Sequence, residues 1–280
     1  MSVASTGPLL AALDIEFLRD LVHRRAAIVL DPRKTQLIES RLAPVARMEG
    51  LSSVDALVER LRSERDGRLA DQVVDAMTTN ETTFFRDVHP WSALEHHILP
   101  DLIERRASQR SLTVWSAACS TGQEPYSLAM LLASRFPSLL KNWRVRIVGT
   151  DLSPRVLEQA RHGSYSQLEV NRGLPAAMLV RYFQREGARW RIDESLRRLV
   201  EFREMNLCTA WTGLPTADLI LMRNVLIYFD LTTKREVLGR VHRLLRDDGY
   251  LLLGTAETTV NIDDRFERLA LDRATAYRTR

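Results

Sequence analysis

The sequence predicts an α/β fold: a doubly wound parallel sheet with a small antiparallel insertion, preceded by an all-α bundle. Three observations predict it. Residues 1–78 place their apolar side chains at helical spacing and show no strand pattern. After residue 110, short apolar runs alternate with helical periods, as parallel sheets covered by helices do. Residues 163–205 interrupt that alternation with short apolar runs separated by turn residues.

The elements follow in order. Leu18, Leu21 and Val22 begin the helical repeat; Ile38, Leu42 and Val45 continue it, then Val54, Leu57, Val58 and Leu61, then Leu69, Val73 and Met77. Breaks are expected at Asp31-Pro32, Gly50 and Gly67. Pro44 falls inside the second repeat and is expected to kink or end that helix near its middle. The stretch TTNETTFFRDVHP at 78–90 has no helical period, and its adjacent phenylalanines mark it as more than a tether. Residues 79–90 are therefore taken as a linker and 91–280 as the second domain. There, LTVWS (112–116) reads as a strand, 121–136 as a helix, VRIVGT (145–150) as a strand and 154–162 as a helix. DLILM (218–222) is a strand, 232–246 a helix with Val237, Leu238, Val241, Leu244 and Leu245 on one face, and YLLLG (250–254) a strand. Residues 266–271 and 274–279 read as an antiparallel hairpin at the sheet edge, and LVEFR (199–203) as part of the antiparallel insertion.

Composition narrows the classes. The chain has 280 residues, of which 45% are hydrophobic and 27% charged, as in globular proteins, and this excludes disordered, collagen-like and coiled-coil chains. No stretch approaches the roughly 20 apolar residues of a membrane span, so no membrane insertion is expected. The start, MSVASTGPLLAALDIEF, lacks a basic region, so no secretory signal is expected and the location is read as cytoplasmic. Cys119 and Cys208 lie far apart, which leaves no disulfide framework or zinc ribbon, and no metal is expected. The net charge is +4, and only Lys34, Lys141 and Lys234 among the 40 basic residues are lysines. Residues 1–78 carry 11 basic and 12 acidic side chains, which argues against a nucleic-acid stripe. With no long apolar seam in the pattern, a monomer is expected.

Three stretches carry chemistry. The first strand ends in WSAACSTGQEPYS, where Ala117, Ala118, Ser120 and Gly122 leave room for a ligand beyond the carboxyl end of the strand. Neither G-x-G-x-x-G nor a P-loop is present, which points to a nucleoside without phosphates. In isolation the string reads better as an ordinary strand-to-helix turn. The second strand ends in Gly149-Thr150-Asp151, where an acid can accept from ribose hydroxyls. Alternatively Asp151, or Ser153 before Pro154, simply caps the next helix. The third runs Arg223-Asn224-Val225-Leu226-Ile227-Tyr228-Phe229-Asp230 at the same edge. The Asn/Asp-Pro-Pro-Tyr string that suits transfer to planar nitrogens is absent, and Phe229 reads as core.

Together TTNETTFFRD, WSAACSTGQEPYSLA, GTDLS, Asn206-Leu207 and RNVLIYFD resemble the CheR family of chemotaxis-receptor glutamate O-methyltransferases, over nearly the whole chain. The resemblance implies a Rossmann-like methyltransferase domain, S-adenosylmethionine as donor with S-adenosylhomocysteine as product, and a receptor glutamate as acceptor. It implies that Asn80, Thr82 and Arg86 close over the cofactor, that Glu124 takes its amino group and Asp151 its ribose, and that Asn206 and Leu207 meet the adenine. Arg223 and Asn224 would line the methionine end, and Arg86 and Tyr228 would sit nearest the transferring methyl.

A glutamate, with a pKa of about 4.3, is already an anion at neutral pH and needs no general base. Arg86 suits orientation of that carboxylate through its planar fork. The partner implied is the cytoplasmic helical region of a methyl-accepting receptor. The segment 33–47 sets Arg33, Lys34, Arg41 and Arg47 against Glu39 alone, so it is either the receptor-facing helix or a solvated face. Gly254-Thr255-Ala256-Glu257 departs from the Gly-His-Ser-Glu of many relatives. The short Glu186-Gly187-Ala188 turn departs from the longer Gly-rich turn of relatives that dock on a receptor's C-terminal pentapeptide, so independence of that tether is expected. Two rival readings stand beside this one: a methyltransferase of another carboxylate or hydroxyl, and a cofactor-binding adaptor without turnover.

Overall fold

Apolar spacing in the N-terminal third becomes helix in the computed structural model, which describes residues 10–63 and 67–280. The expectation about a secretory signal rests on a start whose residues 1–9 lie outside those described. The chain divides into two units. The first holds residues up to Thr79 together with Tyr228–Thr233; the second holds Asn80–Ile227 and Lys234–Arg280.

In the first unit, α1 (Ala12–Ala26), α2 (Thr35–Met48), α3 (Val54–Ser63) and α4 (Gly67–Met77) bury one face each. Leu18, Val22, Leu42, Leu57, Val58, Leu69 and Val73 are wholly inside. Pro44 does not end its helix: α2 runs through it to Met48. Pro44 and Ser40 are both exposed, so the Ser40 carbonyl that loses its intrahelical donor faces water, while Leu42, Val45 and Ala46 stay docked on either side. The later segment is tied in by backbone. The Val29 amide donates to the Tyr228 carbonyl at 2.9 Å, and Ile28 bridges Phe229 in antiparallel fashion. Phe229 is buried, as its apolar character suggested.

The second unit is built on a seven-stranded sheet. Its strands are β1 (Ser111–Ala117), β2 (Arg144–Asp151), β6 (Val200–Glu204), β7 (Ala217–Met222), β8 (Leu245–Leu253), β9 (Phe266–Leu271) and β10 (Ala274–Thr279). Their order is β6-β2-β1-β7-β8-β10-β9. The first five pair in parallel, and β10 pairs antiparallel with β8 and β9. Every residue of β7 is buried, as a central parallel strand requires. The remaining strands, β3 (Ser164–Ser166), β4 (Phe183–Glu186) and β5 (Arg189–Ile192), form a separate antiparallel sheet in the order β3-β5-β4.

Two expectations need correction. The run at 199–203 is not part of the antiparallel insertion: β6 joins the main sheet in parallel beside β2. Gly149 of β2 makes the room, since a Cβ there would stand 2.9 Å from the Phe202 ring. The helix expected to reach residue 246 ends at Leu244, and β8 starts at Leu245 rather than at 250.

Candidate active site

The turn after β1 is held in backbone that non-glycine residues seldom adopt. Ala118 (φ 54°), Ser120 (φ 51°) and Gly122 (φ 91°) all lie in the left-handed region. Gly122 is confined further, because a Cβ there would come within 3.0 Å of the Ala160 Cβ. Cross-strand bonds hold the conformation. The Cys119 amide donates to the Thr150 carbonyl at 2.9 Å, and the Tyr165 hydroxyl donates to the Thr121 carbonyl at 2.8 Å. Burial, with Asp151 and Glu124 nearby, pushes the Cys119 thiol far up, so it stays protonated.

Asp151 sits at the end of β2 and is 6% exposed. Its Oδ2 accepts from the Ser120 amide at 2.8 Å and its Oδ1 from the Ser153 amide at 3.0 Å. The cap of the following helix, Pro154–His162, is Ser153, whose Oγ accepts from the Val156 amide. Of the two roles left open by the sequence, the cap falls to Ser153.

Glu124, one residue into helix Gln123–Arg135, turns back to the same edge. Its Oε1 accepts from Ser116 at 2.8 Å and its Oε2 from Arg223 at 3.1 Å. Burial pushes the Glu124 carboxyl above its ordinary range, with Arg223 and Ser116 opposing that push. Arg223 follows β7 and has a side chain only 2% exposed. It also donates to the Arg86 carbonyl at 2.7 Å and to Asp87 Oδ2 at 2.9 Å. Its Nε is buried with no hydrogen-bond partner among the described residues.

The segment from Asn80 is fixed to this unit by its own side chains. Phe84 is fully buried, edge-on to Tyr165 at 5.0 Å and Phe183 at 5.6 Å. Phe85 stands edge-on to Trp91. The Phe84 carbonyl lies where a Cβ on Gly173 would be, 2.0 Å from it, and Gly173 has φ 84°. Ser120 Oγ donates to the Asn80 carbonyl at 2.8 Å, and Arg172 pairs with Glu81 at 2.7 Å. Thr82 lies between these anchors, outside any helix or strand. Arg86 donates back to the Glu81 carbonyl at 3.0 Å.

Asn206 and Leu207 follow β6. Asn206 Oδ1 accepts from the Cys208 amide at 2.9 Å, and Leu207 is buried. Arg240 clamps this loop by donating to the Leu207 carbonyl at 2.7 Å and the Thr209 carbonyl at 2.9 Å. Trp211 packs edge-on against Trp115 at 4.8 Å. Asn224 (φ 60°) has its amide held at 2.7 Å by Glu257 Oε2, which also accepts from the Gly254 amide at 2.7 Å.

Asn80, Thr82, Arg86, Glu124, Asp151, Asn206, Leu207, Arg223 and Asn224 thus all belong to the second unit. Tyr228 closes a short 3-10 turn, Leu226–Tyr228, and groups with the first. Arg33, Lys34, Arg41 and Arg47 are also in the first. Lys34 and Arg47 are exposed, and Arg33 pairs with Asp31 and holds that carboxyl down at about 2. Arg41 turns inward, donating to the carbonyls of Met77 at 2.8 Å and Thr78 at 3.0 Å. Sequence reasoning missed Asp87, Ser116, Arg240 and the structural use of Glu257. Only Glu257 had a signal, as the part of Gly-Thr-Ala-Glu that matches the relatives' string.

Comparison with known proteins identifies the family. Residues 80–275 match the CheR methyltransferase, SAM binding domain, and residues 13–78 match the CheR methyltransferase, all-alpha domain. The chain belongs to the CheR methyltransferase family. Among similar CheR proteins, chemotaxis protein methyltransferase 1 of Pseudomonas aeruginosa is 41% identical over 273 residues, covering 96% of this chain and 99% of the relative. Chemotaxis protein methyltransferase Cher2 of Pseudomonas putida is 38% identical, covering 96% and 98%. The chemotaxis protein methyltransferase of Escherichia coli is 36% identical, covering 92% and 89%. This CheR chain is therefore an S-adenosylmethionine-dependent methyltransferase, and no helix among its described residues is long and apolar enough to cross a membrane.

The residues present fit that cofactor. Its ammonium group suits the buried Glu124, and its carboxylate suits the unpartnered Arg223 Nε. Its ribose hydroxyls suit a carboxylate at the end of the second strand, the position of Asp151. Its adenine needs an apolar wall beside an amide, which Leu207 and Asn206 offer.

Proposed function

We propose that this protein methylates glutamate side chains of methyl-accepting chemotaxis receptors, forming glutamyl methyl esters that tune sensory adaptation. The observation that supports it most is the arrangement at the carboxyl edge of β2, β1 and β7. There Asp151 and Glu124 flank a turn fixed in left-handed backbone, and Arg223 pairs with Glu124. That arrangement lies in a chain whose relatives are named for chemotaxis protein methylation along their whole length.

When bound, the cofactor supplies a methyl group on a sulfonium centre. The chain's own residues do the rest. Glu124, Arg223, Asp151, Asn206 and Leu207 hold the donor, with Asn80, Thr82 and Arg86 covering it and Asn224 lining its methionine end. Arg86 and Tyr228 orient the acceptor carboxylate, which is already ionised and needs no proton removed. Catalysis comes from alignment and from excluding water from two groups whose charges cancel on reaction. No metal takes part. Residues 1–78 form the receptor-facing domain through Arg33, Lys34 and Arg47, with Arg41 held inward, 79–90 the linker that completes the cofactor site, and 91–280 the catalytic domain. The enzyme acts as a monomer in the cytoplasm. The hairpin between β4 and β5 turns through Gly187-Ala188 alone, which supports action without a pentapeptide tether.

The test uses methyl-labelled S-adenosylmethionine with the purified protein and receptor-bearing membranes. Label on receptors that mild base releases as methanol is expected. Cofactor binding without such label would refute the proposal and favour a different carboxylate substrate.

A further inference from the structure

A recess opens at the carboxyl edge of the sheet, beside the Asn224 loop. It has a volume of about 480 Å³ and lies between the Gly254–Thr258 loop, the start of β10, and Asp87 to Pro90. Because β10 runs antiparallel to β8, its first residues meet the end of β8 at the carboxyl edge. The recess adjoins the Asn224 loop, whose amide is bound by Glu257 on its wall.

Its wall carries two acids and two arginines, and the two kinds are not engaged alike. Both acids on its wall are already engaged, Asp87 by Arg223 and Glu257 by backbone amides. The arginines are not. Among the described residues Arg268 donates its side chain only to Thr275 Oγ1, at 3.2 Å, and Arg273 has no acidic partner. Asp272, next to Arg273, is held by His97 at 2.8 Å. Glu267 precedes Arg268 on a strand, so their side chains leave on opposite faces.

We infer that this recess is a carboxylate-binding subsite that seats acidic side chains of the acceptor protein other than the one being methylated. The inference rests on the glutamate-methylation reading above and adds a determinant of acceptor choice to it. A volume of this size takes one or two side chains and not a helix. Arg268 and Arg273 supply planar forks matched to carboxylates. Binding there selects acceptors whose methylated residue has acidic neighbours, and it acts on encounter and affinity, not on the methyl-transfer step.

The test compares the wild-type chain with Arg268→Glu/Arg273→Glu and with the milder Arg268→Gln/Arg273→Gln. Three quantities are measured: receptor methylation kinetics, S-adenosylmethionine affinity by calorimetry, and binding of a glutamate-rich helical peptide. The receptor KM is expected to rise about tenfold on charge reversal and less on neutralisation, with kcat and cofactor affinity unchanged. Peptide binding should weaken in parallel and become less sensitive to salt. An unchanged KM in both variants overturns the inference, and so does a loss of cofactor affinity. Inorganic phosphate that displaces the peptide at equal concentration also overturns it, by showing a free-anion site. If wild-type protein leaves no label on receptors, the functional reading fails. The subsite is then decided by the peptide alone: binding lost in both variants upholds it, and binding retained refutes it.

Discussion

The Glu257 carboxylate holds the Asn224 amide at 2.7 Å, with the Gly254 amide on the same oxygen and the Ile227 amide on the other at 3.2 Å. One side chain from the loop after β8 thus shapes the loop after β7, where Asn224 is in left-handed backbone. Glu257→Ala leaves those donors without their acceptor, at a cost of about 1–3 kcal/mol where they stay dry. Methyl transfer should fall with stability, and Glu257→Gln should recover part of both. Denaturation midpoints and turnover of the two variants check this. Gly254→Ala should be as damaging as Glu257→Ala, because its Cβ would stand 2.7 Å from Glu257 Oε2 and 2.9 Å from the Asn224 amide nitrogen.

Phe84→Ala should cost about 3–5 kcal/mol, as expected for a fully buried ring. The loss should extend to cofactor affinity, since the same segment carries the Asn80 carbonyl that accepts from Ser120. Calorimetry with S-adenosylhomocysteine, beside an unfolding curve, measures both; a stability loss with cofactor affinity intact would show the segment to be structural only.

Arg86→Ala should keep cofactor affinity within a few-fold and lose most turnover, because its guanidinium is assigned to the acceptor. The structure gives that head group the Glu81 carbonyl, at 3.0 Å, as its partner. Normal turnover in the variant would remove Arg86 from the catalytic set.

Arg41 and Arg47 should behave differently. Arg41→Ala frees the carbonyls of Met77 and Thr78 and should destabilise the first unit by about 1–3 kcal/mol. Arg47, exposed on α2, should tolerate charge reversal with little change in stability. Arg47→Glu is therefore the cleaner probe of receptor contact, read as a slower receptor methylation rate at unchanged thermal midpoint.

Asp230 gives a pH signature. Its Oδ1 accepts from the Thr233 amide at 2.7 Å, capping helix Leu231–Leu244, and its Oδ2 meets His23 at 2.9 Å. These contacts lower its carboxyl from 3.8 to about 2. The folded value lies below the unfolded one, so its stabilisation is present above about pH 4 and is lost as pH falls towards 2. Asp230→Asn keeps a good capping residue and removes the charge. The variant should be less stable than wild type at pH 5, with the difference closing by pH 2, as urea midpoints at each pH will show.

What the sequence reveals here follows from periodicity and from chain-local chemistry. The β1 turn, Asp151 and the β9–β10 hairpin could be read because each element's signal lies within its own residues. The placement of β6 could not. Val200 and Phe202 alternate with polar residues, as an antiparallel strand would, and their parallel partners, Ile147 and Gly149 of β2, lie far off in the sequence. Arg41 looked like a surface charge because its carbonyl partners lie 36 and 37 residues away. Arg240 was invisible for the same reason, being 33 residues from Leu207. Pro44 does not end its helix because the Ser40 carbonyl that it leaves without a donor lies among exposed residues.

The insertion's two sides bear on where the chain can change. Tyr165 and Phe183 wrap Phe84, and the Tyr165 hydroxyl braces Thr121 in the β1 turn, so the base of the insertion is a wall of the catalytic domain. Its tip is different: a Cβ built on Gly187 meets nothing within 4 Å. Grafts and lengthened loops therefore belong at residues 187–188, whereas excising the insertion would remove the brace on the turn after β1.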